Sequence, residues 1–232
     1  MSFTQSNKMN ENDFAVKMLI VSDSYKGSLS TIEVAEQIKK GVRKVFPKAV
    51  FRSLPVADGG EGTVDAFVNH LGGTHEKVMV HAPDGKLIEA EYAVLKNGAA
   101  VLEMAQASGL TLVSPEERNI MSATTYGTGE LIRAALDRGC RKIFIGIGGS
   151  ATNDAGVGMA QALGASFKDQ EGREICFGGG ALGDIASFDL SGMDPRLREA
   201  EITVMCDVTN PLYGPDGAAS IYGPQKGATE EL

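Results

Sequence analysis

The segment Lys142–Leu163 constrains the fold most strongly, because an apolar run is followed at once by a glycine-rich loop and a helical pattern. The run Lys142–Ile147 predicts a buried strand, the loop extends from Gly146 to Asp154, and a helix is expected over Asp154–Leu163. This order of elements is typical of a parallel α/β sheet. Glycine loops of this kind also bind phosphate groups, because their backbone N–H groups can approach an anion closely.

The N-terminal part of the chain repeats the same order of elements. Val16–Ser22 is a short apolar run, and the pair Ser30 and Glu33 forms a capping-box pattern that predicts the start of an amphipathic helix. A second strand is expected over Val50–Val56, and a short helix should follow it and end at Gly72. The succession β-loop-α-β-loop-α again predicts parallel pairing.

A different pattern begins near residue 75. Three strand candidates, 75–82, 86–95 and 99–104, are separated by the turn sequences Pro83-Asp84-Gly85 and Asn97-Gly98. Such turns connect antiparallel strands, since glycine and asparagine tolerate the positive φ that a tight hairpin needs. We therefore expect a second α/β domain with a mixed sheet. Its later elements are a helix over 129–137, a helix start at Asp194, a strand over 201–206 and a long loop over 208–228.

Composition excludes several classes of protein. The chain has 22 Lys and Arg against 30 Asp and Glu, a net charge of −8, which argues against general nucleic-acid binding. No apolar run approaches the roughly 20 residues of a membrane span, and Met1–Asp13 is too polar for a signal peptide. The three cysteines lie far apart without metal-ligand spacing, as expected for a reduced cytoplasmic protein.

Two early loops carry candidate chemistry. Lys26 lies between Tyr25 and Gly27, just before a predicted helix, where its ammonium group and the helix N-terminus can attract an anion. Asp58 and Glu61 are separated by two glycines, so their carboxylates suit Mg²⁺, a substrate hydroxyl or proton abstraction. Each loop also fits an ordinary turn between a strand and a helix.

Two later loops suit phosphate binding. The segment from Gly146 to Ala151 fits the relaxed dinucleotide pattern G-x-G-x-x-A, with Asp169 at a distance that suits ribose binding, and the chain contains no Walker A sequence. Asp207 and Lys226 belong to the long loop near the end of the chain. The sequence Gly127-Thr-Gly129 is a weaker turn of the same kind. Several such loops in one chain favour a phosphate-handling site.

Five segments in order resemble the successive motifs of the bacterial glycerate kinase family. They are Asp23-Ser-Tyr-Lys-Gly-Ser-Leu-Ser30, Pro55-Val-Ala-Asp-Gly-Gly-Glu-Gly-Thr63, Gly127-Thr-Gly-Glu-Leu-Ile132, Gly146-Ile-Gly-Gly-Ser-Ala-Thr-Asn-Asp154 and Gly223-Pro-Gln-Lys-Gly-Ala228. The resemblance implies ATP-dependent phosphorylation of D-glycerate, most often to 2-phosphoglycerate, with 3-phosphoglycerate as the other product. The implied partners are D-glycerate and ATP, without nucleic acid or membrane.

The resemblance also implies a domain organisation. Family members have a Rossmann-like parallel-sheet domain built from both chain ends and a mixed-sheet α/β domain inserted between them. Residues 14–74 would be the first half of the Rossmann-like domain, 75–232 the inserted domain, and 1–13 a disordered polar extension. We expect the chain to be truncated, because Thr229 followed by two glutamates is a helix start and the family continues beyond this point.

The roles of the site residues follow from what phosphoryl transfer requires, which is mainly positioning and charge neutralisation. We expect Lys26 and Lys226 to contact anionic oxygens of glycerate or of the triphosphate, and Asp58, Glu61 or Asp207 to hold Mg²⁺ or orient the attacking hydroxyl. Catalytic roles are thus expected for Lys26, Asp58, Glu61 and Asp207, and Mg²⁺ binding for Asp58 and Asp207. The nucleotide-binding residues are expected to be Gly148, Gly149, Ser150, Thr152, Asn153, Asp154 and Lys226.

Two alternatives belong to other classes. An NAD-dependent oxidoreductase would bind its cofactor at Gly146–Ala151 with Asp169 on the ribose, but it leaves the other glycine loops unexplained. A non-catalytic fragment would bind a nucleotide or an organic acid without transferring phosphate. Calorimetric titration with NAD and with ATP distinguishes the first alternative from a kinase. An assay of phosphate transfer distinguishes the second alternative from a kinase.

Overall fold

The computed structural model describes residues 16–25 and 28–229, which belong to two compact α/β units. The first unit ends at Ala57 and the second begins at Asp58. The expected polar extension, residues 1–13, and the candidate lysine Lys26 lie outside the described residues. Of the described helices, none combines the length and apolarity that crossing a membrane requires.

The first unit is a parallel strand pair with one helix. Its elements are β1 (Lys17–Ser22), α1 (Thr31–Arg43) and β2 (Val50–Pro55), and Lys17 pairs with Val50 in the parallel register. The predicted capping box is confirmed, because the Ser30 hydroxyl accepts the Glu33 N–H at 3.3 Å and the Glu33 carboxylate accepts the Ser30 N–H at 2.8 Å. The expected β-loop-α-β unit is therefore present with nearly the predicted bounds.

The second unit is built on a mixed five-stranded sheet of order β3-β4-β5-β6-β9. The first three of these strands form the predicted antiparallel meander, and β6 pairs in parallel with both β5 and β9. The elements are α2 (Thr63–Leu71), β3 (Gly73–His81), β4 (Leu87–Leu95), β5 (Ala100–Glu103), α3 (Ala105–Ser108), α4 (Tyr126–Asp137), β6 (Lys142–Gly146), α5 (Val157–Ala162), β7 (Ser166–Lys168), β8 (Ser187–Asp189), β9 (Glu201–Met205) and α6 (Ala218–Tyr222).

Both faces of this sheet are covered by helices. On one face, α4 buries Leu131 and Leu136 completely against Leu102 of β5, and this cluster is the main core of the unit. On the other face, Val64 of α2 packs on Val101. Close packing of apolar side chains on both faces is what allows parallel strands such as β5 and β6 to lie in the interior.

The boundary between the units differs from the expected division at residues 74 and 75. Helix α2 belongs to the second unit, because it packs on β3, β4 and β5. A buried hydrogen bond fixes it there, from the Val64 N–H to the Glu103 carboxylate at 2.7 Å. Periodicity along the chain does not report which sheet a helix covers, and this contact joins residues far apart in sequence.

Two helix predictions and one loop prediction are corrected by the structure. Helix α4 begins at Tyr126 instead of residue 129, so Gly127 and Gly129 lie inside its first turns, where both are buried. The predicted helix over Asp154–Leu163 is shorter and spans Val157–Ala162, since Gly156 adopts a positive φ of 77° before it. The expected loop over 208–228 contains α6 and a 3-10 turn at Pro224–Lys226.

Candidate active site

Two of the loops singled out in the sequence meet at the edge of the mixed sheet that is formed by the carboxyl ends of β6 and β9. The Gly148 N–H donates to the Gly59 carbonyl at 3.1 Å. A β-carbon on Gly146 would lie 2.2 Å from the Gly59 carbonyl oxygen, and one on Gly148 would lie 2.9 Å from the Gly60 Cα. Only glycine permits this approach of two backbones, so these glycines bring the acidic loop Asp58–Gly62 beside the glycine-rich loop.

The three candidate carboxylates are exposed at this edge. Asp58 accepts the N–H of Gly60 at 3.0 Å, and the side chains of Glu61 and Asp207 face solvent. The acidic loop also lies against the end of β9, because a β-carbon on Gly59 would be 3.0 Å from the Met205 carbonyl oxygen. Asp58 and Asp207 therefore belong to neighbouring loops.

The expected Mg²⁺ site requires oxygen ligands that lie close together. Within residues 16–25 and 28–229, no three His, Cys, Asp or Glu side chains are close enough together to hold a metal ion. Mg²⁺ bound to a nucleotide needs fewer protein ligands, since one or two carboxylates, several waters and phosphate oxygens complete its octahedral shell. Exposed carboxylates on neighbouring loops, Asp58 and Asp207, fit that requirement.

The segment 108–110 fixes the glycine-rich loop through backbone hydrogen bonds. The Leu110 N–H donates to the Gly149 carbonyl, and the Ala151 N–H donates to the Ser108 carbonyl, each at 2.8 Å. In the part of the chain that the structure describes, four N–H groups of the loop donate to no protein acceptor, those of Gly149, Ser150, Thr152 and Asn153. Unpaired donors on one short loop form a cradle for an anion.

Lys226 reaches the same loop from the other end of the chain. Its ammonium group donates to the Ser150 hydroxyl and to the Thr152 carbonyl, both at 2.7 Å. Burial lowers the pKa of Lys226, and the nearby Asp154 partly opposes that effect. The structure thus places a desolvated cation against the glycine-rich loop, although the two segments are far apart in sequence.

Asp154 is an anchor of the loop and not one of its exposed groups. It is 1% exposed, and one carboxylate oxygen accepts the N–H and the hydroxyl of Thr125, each at 2.8 Å. The two oxygens also accept the N–H groups of Gly156 and Gly158, at 3.1 and 3.2 Å. Because these four donors already use its oxygens, Asp154 acts by fixing the end of the loop to α4 and α5.

Glu103 is a functional candidate that sequence reasoning missed. It ends β5 beside Gly146 and is 2% exposed, and its carboxylate accepts the Val64 N–H at 2.7 Å. Burial raises the pKa of Glu103, and hydrogen bonds from Val64 and Gln106 oppose the increase. Because α2 begins directly after the acidic loop, this hydrogen bond also fixes the end of that loop. The available signal was a single acidic residue closing the apolar run Ala100–Leu102.

A cavity of about 580 Å³ opens beside the glycine-rich loop. Its walls are mostly apolar and include Ile145, Met159 and Leu163, whereas Ser150 and Asn153 contribute polar groups at the side of the loop. Apolar walls do not replace the hydration of an anion. Charged ligand groups are therefore restricted to the loop side, where the unpaired N–H groups and Lys226 lie.

Two features that were expected to bind phosphate or a cofactor have other roles in the structure. A β-carbon on Gly127 would lie 1.9 Å from the His81 carbonyl oxygen, and one on Gly129 would lie 2.3 Å from that of Met159, so these glycines permit close packing of α4. Asp169 belongs to an exposed turn after β7, where it accepts the N–H of Arg173 and pairs with its guanidinium, both at 2.9 Å. Asp169 follows β7, which pairs with β8 outside the mixed sheet, so it does not end a strand beside β6 as the acidic residue of a dinucleotide site does.

Comparison with known proteins supports one family. The model of the family described as "Glycerate kinase family" matches residues 18–232. The chain is 53% identical over 218 residues to the glycerate kinase of Bacillus subtilis and 52% identical over 218 residues to the glycerate 2-kinase of Escherichia coli. Each alignment covers 94% of this chain and 57% of the relative, so the chain spans little more than half the length of the relatives it matches.

A solved structure gives the same result. A crystal structure from Salmonella typhimurium LT2, described as a candidate glycerate kinase 2, superposes with a TM-score of 0.80 at 52% sequence identity. The match covers 94% of this chain and 59% of that chain. The mixed α/β architecture is therefore shared with this structure.

Proposed function

Because the chain belongs to the glycerate kinase family, we propose that it takes part in the ATP-dependent phosphorylation of D-glycerate. The observation that carries the proposal is the meeting of the glycine-rich loop, the acidic loop and Lys226 at one sheet edge. That arrangement supplies unpaired N–H groups and a cation for phosphates, with carboxylates beside them. Phosphoryl transfer requires this combination of anion binding and positioning.

In the proposed reaction, a glycerate hydroxyl oxygen forms a bond to the γ-phosphorus of ATP as the bond from that phosphorus to the ADP oxygen breaks. The hydroxyl proton passes to a carboxylate, for which Asp58, Glu61 and Asp207 are the candidates. Lys226 and the N–H groups of Gly149, Ser150, Thr152 and Asn153 bind phosphate oxygens. Gly148 permits the loop contact, and Asp154 anchors the loop.

Asp58 and Asp207 would hold Mg²⁺, which supplies charge neutralisation at the phosphate oxygens when it is bound. Lys26 is proposed to contact an anionic oxygen of glycerate or of the nucleotide. We propose 2-phosphoglycerate as the product, in line with the name of the Escherichia coli relative. Transfer to the other hydroxyl would give 3-phosphoglycerate.

The test is an assay of ADP release with D-glycerate and ATP, using the 232-residue chain and its variants. We expect Asp58→Asn to reduce turnover by at least tenfold and Asp184→Asn, at an exposed aspartate with no assigned role, to have no effect. Lys26→Ala is expected to raise the KM for glycerate or for ATP. Direct conversion of the product by an enolase identifies 2-phosphoglycerate.

Some outcomes would contradict the proposal. Turnover equal to wild type in Asp58→Asn would remove that carboxylate from the mechanism. ATP binding without any glycerate-dependent release of ADP would favour the non-catalytic alternative for this chain. Binding of NAD without binding of ATP would contradict kinase activity altogether.

A further inference from the structure

Arg118 is a cation beside the glycine-rich loop that the proposed function has not used. It follows the 3-10 turn Pro115–Glu117, and its side chain is half-buried. One guanidinium nitrogen, Nη1, donates to the Gln225 carbonyl at 3.1 Å. Its Nε is enclosed by protein and donates to no acceptor in the described part of the chain. Enclosed donors without an acceptor are rare in native proteins, so this one requires an explanation.

The contact with Gln225 places Arg118 next to Lys226. A β-carbon on Gly227 would lie 2.5 Å from the Arg118 carbonyl oxygen, so the turn that carries Lys226 is packed directly on residue 118. The Lys226 ammonium uses two of its three N–H bonds on Ser150 and Thr152, which leaves one available. Arg118 therefore lies against the turn from which Lys226 reaches the glycine-rich loop.

Neither of these two cations, Arg118 and Lys226, has a carboxylate as a direct ion-pair partner in the described part of the chain. Asp84 and Glu117 share a small hollow of about 20 Å³ with Arg118, but Asp84 is paired with Lys86 at 2.6 Å and Glu117 accepts the Ser114 hydroxyl at 2.9 Å. Although the charge of Asp154 acts on Lys226, a cation that forms no ion pair favours binding of an anion.

The hollow lies at the glycine-rich loop itself, since Ala151 lines it together with Arg118. Ala151 is flanked by Ser150 and Thr152, the two residues that Lys226 contacts. A guanidinium group presents several donors in one plane, a geometry that matches two oxygens of a phosphate. Arg118 therefore borders the glycine-rich loop with a group whose geometry suits phosphate oxygens.

We propose that Arg118 is a further anion-binding residue of this site and binds phosphate oxygens together with Lys226. The inference rests on the proposed function, which supplies two sources of the phosphate group: the triphosphate of ATP and the phosphorylated product. In either case the ligand would be bound by the terminal N–H groups of the guanidinium, because the Nε is enclosed by protein. Arg118 also holds the Lys226 turn in the absence of a ligand.

The experiment is calorimetric titration of the 232-residue chain with a non-hydrolysable ATP analogue and, separately, with 2-phosphoglycerate. The variants are Arg118→Gln and Arg118→Lys, with Arg173→Gln as the control, since Arg173 is an exposed arginine on the turn after β7. We expect Arg118→Gln to weaken binding in at least one arm by about tenfold or more, the usual loss for a hydrogen bond to a charged group. Arg173→Gln should bind like wild type.

The titration in which Arg118→Gln loses affinity shows whether Arg118 binds the triphosphate of ATP or the phosphate of the product. Arg118→Lys retains the charge without the planar donors, so it should fall between wild type and Arg118→Gln. Thermal melting followed by circular dichroism shows whether each variant folds. If Arg118→Gln does not fold, the comparison of Arg118→Lys with wild type decides. Affinities equal to wild type in both arms for the folded variants would overturn the inference.

Turnover is measured separately, so that the two proposals fail independently. Loss of nucleotide affinity in Arg118→Gln, with no glycerate-dependent turnover in wild type, would leave the anion site in place and contradict the kinase function. Normal turnover with unchanged KM in Arg118→Gln would contradict the role of Arg118 and leave the kinase function in place.

Discussion

Asp154 and Glu103 are the carboxylates that lie buried in the described part of the chain, and their environments differ. Asp154 accepts four hydrogen bonds from Thr125, Gly156 and Gly158, which replace the water it loses on burial. For Glu103, burial outweighs its hydrogen bonds and raises the pKa. Glu103 is therefore a buried carboxylate whose raised pKa makes stability depend on pH.

We predict that Asp154→Ala lowers the free energy of unfolding of the second unit by roughly 3 kcal/mol, because four buried donors lose their acceptor. Denaturant unfolding measures the change. Asp184→Ala, at an exposed aspartate, is the control and should remain within about 0.5 kcal/mol of wild type. A loss for Asp154→Ala no larger than the control's would show that the hydrogen bonds of Asp154 are not important for stability.

Glu103→Gln is predicted to change how stability depends on pH. The pKa of Glu103 is raised above its ordinary value of 4.5, so the folded state retains this proton to higher pH than the unfolded state. Its contribution to stability is therefore present below pH 4.5 and is lost as the pH rises through the folded-state pKa. Glutamine keeps an acceptor for Val64 but cannot titrate.

The measurement is the free energy of unfolding of wild type and Glu103→Gln at several pH values from about 4 upwards. We expect wild type to lose stability relative to the variant as the pH rises above 4.5. Groups common to both proteins cancel in the difference. A constant difference, or one that changes in the opposite direction, would contradict a raised pKa at Glu103.

At the scale of secondary-structure elements, the loop after β6 and the acidic loop before α2 decide the geometry of the site. Gly146 and Gly148 let the acidic loop contact the glycine-rich loop through backbone atoms. Segment 108–110 fixes the other side of the glycine-rich loop through hydrogen bonds to Gly149 and Ala151. The site is therefore assembled from loops that rigid strands and neighbouring backbone hold in place.

Gly146→Ala is predicted to separate the two loops. Its β-carbon would lie 2.2 Å from the Gly59 carbonyl oxygen, so the backbone has to move, at a cost of about 1–3 kcal/mol in stability. We also expect weaker binding of the ATP analogue in calorimetric titration. Gly183→Ala is the matched control, because a β-carbon on Gly183 would have no neighbouring atom within 4 Å. Equal behaviour of the two variants would show that the loop contact can be removed without effect.

At the scale of the whole chain, the two units differ in the size of their cores. The first unit buries few large apolar residues, among them Ile20 and Val34, and leaves Leu19, Val21 and Val50 more than half exposed. The second unit buries a large cluster around Leu102, including Leu131 and Ile143. A small core supports little stability by itself, so the two units should open with different free energies.

Hydrogen exchange followed by mass spectrometry tests this difference. We predict that the amides of β5 and β6 exchange slowest, because their side chains Val101, Leu102 and Ile143 are fully buried. The amides of β1 and β2 should exchange at least tenfold faster. Equal protection of β1 and β5 would indicate that the chain unfolds as one cooperative unit.

The sequence determined the elements and loops whose signals are local. The capping box at Ser30, the hairpin turns after β3 and β4, and the strand–loop–helix order around Gly146 all depend on residues close together in the chain, and the structure confirms each. Family motifs likewise identified the glycerate kinase family. Local hydrogen bonds and periodicity carry this information, so neighbouring residues are enough to predict it.

Tertiary structure alone decided which distant residues meet. It placed Lys226 on Ser150, the acidic loop on Gly146, and α2 in the second unit. It also showed that Gly127 serves close packing of α4, and that Glu103 and Arg118 lie beside the site. These contacts depend on how helices cover the sheet and how closely backbones approach. Such packing joins residues far apart in sequence and leaves no regular pattern along the chain.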